Sequence, residues 1–170
     1  SIVILPAADL KISYTLNYNH SLLKEQFFAL VLDNDTFRDE ISLSRTFCLE
    51  EEGMELKKQG FGLGANFENT LVVGKSGVIK NKLRYSNEFA RHKVLDLIGD
   101  LYLFGQPIKG HIIALRSGHS LNIKLLQKIG QQRQKYISNS ISISNIPLNK
   151  QELDVNDIMK ILPHRQPFLF

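Results

Sequence analysis

Three ionisable residues recur at every fourth position in one segment of the chain. His92, Asp96 and Asp100 lie within residues 88–104, which have a helical pattern. Residues four apart share one face of an α-helix, so the spacing predicts a single polar row. An imidazole nitrogen and a carboxylate oxygen one turn apart can bind the same cation, and this ligand set suits zinc. His92 and Asp96 are therefore candidate metal ligands.

The surroundings of this row leave two alternatives. Six apolar residues flank it and predict a buried helix: Val94, Leu95, Leu97, Ile98, Leu101 and Leu103. Ionisable groups on a buried helix must be paired, metal-bound or neutralised. The alternative is an amphipathic helix whose polar row meets water, and spacing alone favours it because a two-residue metal signal is weak. Zinc also needs a third ligand, for which His20, His111 and His119 are candidates by identity only.

A second cluster, Ser117 to Asn122, lies where a predicted strand gives way to a helix. The helix dipole disfavours a charged histidine at an N-terminus, so a cationic His119 needs a carboxylate partner. Asp100 is the natural candidate. The alternative is that His119 is a surface residue near the helix cap.

The composition bounds the function classes. The chain has 170 residues, 43% hydrophobic and 22% charged, which is typical of a soluble globular protein. Its net charge of +4 is spread along the chain, which argues against nucleic acid and suits an anionic substrate. No apolar run approaches the about 20 residues of a membrane span. A single cysteine, Cys48, excludes an intrachain disulfide and predicts a reducing, cytoplasmic location, and catalysis by this thiol is the less favoured interpretation.

Hydrophobic periodicity predicts an α+β fold. Alternation favours strands at 11–17 and 26–32, and further strands are expected at 69–73 and 108–115. Helices are predicted at 50–59, ended by Gly60, at 88–104, and from His119 to about Lys135. We expect a two-layer sandwich in which an antiparallel-rich sheet packs against the last two helices.

The composition changes near the end of the chain. Residues 136–149 contain no charge, and Ile, Ser and Asn dominate them. A linker over 137–152 is the favoured interpretation, and an edge strand is the alternative. Both ends of the chain are apolar, so we expect the natural polypeptide to continue beyond them.

Several separated motifs resemble one enzyme family. They are Arg45-Thr46-Phe47, Gly62-Leu63-Gly64, the segment 87–100 and the segment 117–122. Together, over about residues 8–130, they resemble the second domain of UDP-3-O-acyl-N-acetylglucosamine deacetylase, the zinc enzyme of lipid A biosynthesis. The resemblance implies a deacetylase domain over residues 1–136 and a UDP-linked acylated glucosamine as substrate.

The resemblance also implies roles for individual residues. His92 and Asp96 become two zinc ligands, and the metal activates water to attack the acetamide carbonyl. His119, paired with Asp100, stabilises the oxyanion and protonates the leaving amine. Thr46 contacts the tetrahedral centre.

The substrate contacts implied by the resemblance lie nearby. Phe47 packs on the sugar, and Lys93 meets the anionic or polar head of the substrate. Four residues resemble the wall of the tunnel that takes the acyl chain: Gly62, Ala65, Phe67 and Val72.

The family's third zinc ligand, a histidine, and its general base, a glutamate, belong to its first domain. We therefore expect this chain to be a fragment that is inactive alone and holds zinc weakly. A rival hypothesis is a catalytically inert domain of the same fold that binds lipid or nucleotide sugar. A different zinc amidohydrolase is a third, which the Arg-Thr-Phe and Ser-Gly-His motifs disfavour.

The last fifteen residues carry a second resemblance. They are similar to the opening of the 3-hydroxyacyl-acyl-carrier-protein dehydratase of hot-dog fold, and His164 matches the catalytic histidine of its Pro-His-Arg-x-Pro-Phe motif. This implies a truncated dehydratase domain over 153–170, with acyl carrier protein as its partner and its catalytic carboxylate beyond Phe170. Such a fusion resembles the bifunctional deacetylase and dehydratase of some Gram-negative bacteria.

Overall fold

The computed structural model describes the backbone of residues 1–141 and the side chains of residues 1–137. The predicted dehydratase segment, including His164, lies outside the described residues, as does most of the predicted linker. The described residues form six strands and three regular helices, with shorter helical turns between them. The strands are β1 (Ile2–Leu5), β2 (Leu10–Leu16), β3 (Gln26–Val31), β4 (Thr46–Leu49), β5 (Thr70–Val73) and β6 (Gly110–Leu115); the helices are α1 (Glu50–Lys58), α2 (Glu88–Tyr102) and α3 (His119–Ile141).

The strands form two sheets. The larger has the order β1-β6-β2-β3, with β2 and β6 parallel and the other two pairs antiparallel. The smaller consists of the parallel pair β4 and β5. This confirms the predicted α+β class and the antiparallel-rich sheet.

One face of the larger sheet forms the core. Strand residues alternate between faces, so Ile12, Tyr14 and Leu16 of β2 are all buried on the same side. Tyr14 lies opposite Phe28 of β3 and Ala114 of β6, which are buried as well. Helices α2 and α3 cover this face, which confirms the two-layer sandwich. Each large apolar side chain buried there contributes roughly 1.5–3 kcal/mol.

Helix α2 is buried along one side only. Val94, Leu97 and Leu101 belong to the core, and Leu95 and Ile98 pack against it partly exposed. The expectation that Leu103 helps to bury the helix is wrong, because this residue is 71% exposed. The helix ends at Tyr102, and Gly105 then turns the chain with a φ of 69°. Leu103 therefore follows the last packed turn.

Helix α3 is longer than its pattern predicts. It ends at Ile141 rather than near Lys135, so it covers the first residues of the predicted linker. No proline or glycine occurs between Gly130 and Pro147, so the local sequence contains no strong helix breaker there. The absence of charged residues over 136–149 changes the composition of the segment, but it does not end a helix. Within residues 1–141, no helix is both long and apolar enough to cross a bilayer.

Candidate active site

Helix α2 brings His92 and Asp96 together as its spacing predicts. His92 Nε2 lies 3.3 Å from Asp96 Oδ1, and both side chains are mostly buried. Burial lowers the pKa of His92, although Asp96 opposes the shift. The imidazole is therefore held towards its neutral form, which is the form that binds metals.

This pair of donors fits a zinc ion. Two atoms that each lie about 2.0–2.2 Å from a tetrahedral cation are roughly 3.3–3.6 Å apart. The observed nitrogen-to-oxygen separation of 3.3 Å falls at the lower end of that interval. Within the described part of the chain, however, no third His, Cys, Asp or Glu completes a metal-binding group.

The three histidines considered as a third ligand have other partners. His20 Nδ1 accepts a hydrogen bond from the backbone N–H of Leu22. His111 Nε2 lies 2.8 Å from the hydroxyl of Ser13, in the larger sheet. His119 pairs with Asp100. None of the three joins His92 and Asp96 in a described metal-binding group.

Lys93 lies against the same carboxylate. Its Nζ donates to Asp96 Oδ2 at 2.9 Å and lies 5.6 Å from the centre of the Phe47 ring. The Phe47 ring also contacts the ring of His92 edge-on, at a centroid distance of 6.1 Å. Thr46, the exposed first residue of β4, directly precedes Phe47. The structure thus places Lys93 and Phe47 beside the His92–Asp96 pair.

The predicted pairing of His119 with Asp100 is present. His119 Nδ1 lies 2.9 Å from Oδ2 and 3.0 Å from Oδ1 of Asp100. His119 is the first residue of α3 and its side chain is 68% exposed, whereas Asp100 is buried on α2. Because Nδ1 is the atom bonded to the carboxylate, Nε2 is the nitrogen left to exchange a proton with a substrate.

Sequence reasoning missed the partners that hold Asp100. Asn122 Nδ2 donates to Asp100 Oδ2 at 2.7 Å, and Ser117 Oγ donates to Asn122 Oδ1 at 2.6 Å. The buried hydroxyl of Tyr14 donates to the backbone carbonyl of Ser117, and burial raises the pKa of Tyr14. Ser117 and Asn122 belong to the motif at 117–122, so the motif could have indicated that they matter. Their residue types alone did not predict which groups they contact.

A buried ion pair joins the residue before β4 to the first residue of α2, and it too was not predicted. Arg45 Nε lies 2.9 Å from Oε1 of Glu88, which also accepts from the backbone N–H of Arg45. The other oxygen, Oε2, accepts from the backbone N–H of Arg84 at 2.6 Å. Burial alone would raise the pKa of Glu88, but these hydrogen bonds outweigh it and hold the pKa below its ordinary value. The pair ties the residue before Thr46 to the start of the helix that carries His92.

A largely apolar cavity of about 420 Å³ lies between β4, β5, α1 and the loop that follows α1. All four residues predicted for an acyl tunnel line it: Gly62, Ala65, Phe67 and Val72. Thr46 and Phe47 line it as well, so the cavity adjoins the residues around His92. Gly62 has a φ of 66°, a conformation that a residue with a side chain rarely adopts. The glycine therefore permits the turn that shapes this wall.

Cys48 also lines the cavity. Burial raises the pKa of its thiol. A protonated thiol is a poor nucleophile, which agrees with the expectation that Cys48 is not catalytic.

Comparison with known proteins identifies a family for the chain. A family model described as UDP-3-O-acyl N-acetylglycosamine deacetylase matches residues 1–131. Three curated relatives, each named UDP-3-O-acyl-N-acetylglucosamine deacetylase, are similar to the chain. The protein from Chlamydia caviae is 47% identical over 73% of this chain and 45% of its own length. The protein from Aquifex aeolicus is 44% identical over 75% of this chain and 44% of its own length. The protein from Leptospira biflexa is 38% identical over 77% of this chain and 43% of its own length. The chain thus spans less than half the length of these relatives.

Proposed function

Because the chain belongs to the UDP-3-O-acyl-N-acetylglucosamine deacetylase family, as its motifs predict, we propose that it forms the second half of such an enzyme. The reaction is removal of the acetyl group from UDP-3-O-(3-hydroxyacyl)-N-acetylglucosamine, in lipid A synthesis. The observation that carries this proposal is the arrangement on α2. One helix presents a histidine and a carboxylate 3.3 Å apart, and one turn later a carboxylate bound to His119.

The proposed cofactor is zinc, held by His92 and Asp96. Bound there, the metal would polarise the acetamide carbonyl and activate the attacking water. The neutral state favoured for His92 and the separation of the two donors support this assignment. Lys93, bonded to Asp96 Oδ2, leaves Oδ1 as the oxygen that faces His92.

His119 is the proposed acid. Asp100 holds its Nδ1, so the Nε2–H of a protonated ring can donate a proton to the departing amine. The same positive charge stabilises the oxyanion that forms when the carbonyl is attacked. Thr46, at the rim of the cavity, contacts that tetrahedral centre.

The cavity is the proposed acyl site. Its lining is largely apolar, which suits an alkyl chain. Phe47 lies between the cavity and the ring of His92, so it can pack on the sugar that joins the acyl chain to the acetamide. Lys93 supplies a positive charge for the polar or anionic head of the substrate.

The third zinc ligand and the glutamate base are expected from the family's first domain. The two donors on α2 are not joined by a third within the described residues, which supports this division. We expect the purified 170-residue chain to bind zinc weakly and to show no turnover. Robust turnover by the chain alone would contradict this.

Residues 153–170 are proposed to begin a 3-hydroxyacyl-acyl-carrier-protein dehydratase, joined through the part of the predicted linker 137–152 that follows α3. The proposal rests on the resemblance of the last fifteen residues, which include the motif from Pro163 to Phe168. Its test is dehydration of a 3-hydroxyacyl thioester of acyl carrier protein by the natural polypeptide. Replacing His164 by Ala should abolish this activity and leave deacetylation unchanged. The cytoplasmic location, predicted from the single cysteine, stays a prediction.

His119→Ala in the complete protein tests the deacetylase proposal against an inert binding domain. We expect the deacetylation rate to fall by about 100-fold or more while substrate still binds, because a general acid contributes on the order of 100- to 10,000-fold. His20→Ala is a matched control on a histidine that caps a short helical turn. If the wild type bound the nucleotide sugar without deacetylating it, the chain would belong to a binding module.

A further inference from the structure

The carboxylate of Asp100 is shared between two side chains of α3. Its Oδ2 lies 2.9 Å from His119 Nδ1 and 2.7 Å from Asn122 Nδ2. Asn122 is almost fully buried, whereas His119 is largely exposed. Asn122 is therefore the partner that the core encloses, and His119 is the partner that solvent surrounds.

The orientation of the Asn122 amide is itself fixed. An ionised carboxylate only accepts hydrogen bonds, so the amide nitrogen faces Asp100, and Ser117 Oγ donates to the amide Oδ1 at 2.6 Å. The hydroxyl of Tyr14 in turn holds the backbone carbonyl of Ser117. A flipped amide would set its oxygen against the Asp100 carboxylate with no proton between them, which leaves buried acceptors unsatisfied.

We propose that Asn122 is a positioning residue of the deacetylase. Its amide fixes the Asp100 carboxylate so that both oxygens stay within hydrogen-bond distance of His119 Nδ1. This inference rests on the proposed function, since it assigns Asn122 to the proton-donating side of that reaction.

Asp100 needs a second partner because the carboxylate of an aspartate rotates easily. The last side-chain torsion of aspartate has a broad energy profile, so a hydrogen bond from one partner restrains the carboxylate only weakly. His119 meets mostly solvent and cannot supply a second constraint. Asn122 does so from the core, and it restrains the carboxylate before any substrate arrives.

Asn122→Ala in the complete deacetylase tests the role. The expected result is a kcat lowered by about 10- to 100-fold, the usual cost of removing a group that orients a reacting one, with KM and zinc content unchanged. Ser13→Ala is the matched control, because it removes a hydrogen bond of 2.8 Å from a buried side chain to another histidine, His111. Wild-type kcat in Asn122→Ala, or equal losses in the two variants, would overturn the proposal.

Asn122→Asp supplies a signature that a purely structural role would not produce. The variant keeps the shape and the acceptor for Ser117 but sets a second carboxylate against Asp100. Two such carboxylates share a proton, and the protonated form restores the donor towards Asp100. The ratio of variant to wild-type kcat should rise as the pH falls. A ratio that does not vary with pH would contradict the role.

Ring resonances of His119, measured on the 170-residue chain, separate this proposal from the proposed function. In Asn122→Ala the ¹⁵N and ¹H signals of His119 should shift and broaden, and in Ser13→Ala they should not. If the wild-type protein lacks deacetylase activity, the proposed function fails, and the resonances still decide whether Asn122 restrains His119. Should Asn122→Ala not fold, Asn122→Asp carries both measurements.

Discussion

The buried ion pair between Arg45 and Glu88 predicts a large loss of stability in Glu88→Gln. Glu88 is 0% exposed and Arg45 8%. The carboxylate accepts four hydrogen bonds, three from Arg45 and one from the backbone of Arg84. Glutamine has the same size, but its amide nitrogen must face donors where the second oxygen stood.

The magnitude follows from what is left behind. Removing one partner of a buried ion pair costs about 3–5 kcal/mol, because the remaining charge is buried without compensation. The total stability of a domain is about 5–15 kcal/mol. Glu88→Gln should therefore remove a large fraction of the free energy of unfolding. Since Arg45 precedes Thr46 and Glu88 lies one turn before His92, the loss should also loosen the site.

Urea denaturation of the 170-residue chain, followed by circular dichroism, measures this effect. The matched control is Glu40→Gln, which breaks another ion pair of α2, between Glu40 and Arg91. The side chain of Glu40 is 47% exposed, and Arg91, although 13% exposed, keeps its bonds to Asn87 Oδ1 and to the Glu40 backbone carbonyl. Loss of this pair should therefore cost only about 1 kcal/mol. Similar unfolding midpoints for the two variants would show that the buried pair stabilises the fold no more than the exposed pair does.

Three further predictions follow from burial and from the cavity. The pKa of Glu88 is held below its ordinary value of 4.5, so its contribution to stability is present above that pH and is lost as the pH falls through the folded value. The gap in unfolding midpoint between wild type and Glu88→Gln should then narrow on acidification, and a constant gap would contradict this. Cys48, whose pKa is raised by burial, should react slowly with iodoacetamide until urea unfolds the chain, as mass spectrometry can follow. Ala65→Phe should fill part of the 420 Å³ cavity and move the optimum of kcat/KM towards shorter acyl chains, whereas an unchanged chain-length profile would show that the chain binds elsewhere.

Local patterns predicted the elements and the first two groups of the site. Alternation located β2 and β3, and the four-residue spacing placed His92 and Asp96 on one face of α2. Each of these inferences needs only the period of a strand or a helix. The pairing of Asp100 with His119 followed from a further argument, that a charged histidine at a helix N-terminus needs a carboxylate.

The remaining contacts depend on tertiary packing and were not predictable from local patterns. Arg45 and Glu88 are 43 positions apart in sequence and meet only because β4 packs beside the start of α2. Asn122 reaches Asp100 only because α2 and α3 cover the same face of the sheet. The exposure of Leu103 has the same kind of origin, since it depends on where the packed part of α2 ends.

The proposed deacetylase mechanism requires that the His92–Asp96 pair on α2 bind a zinc ion. Metal content per polypeptide, measured by mass spectrometry on the complete protein and on its Asp96→Ala variant, decides whether it does. We expect one zinc ion in the wild type, its loss in Asp96→Ala, and its retention in the control Asp9→Ala, which changes an exposed carboxylate. Full zinc occupancy in Asp96→Ala would show that Asp96 is not a zinc ligand.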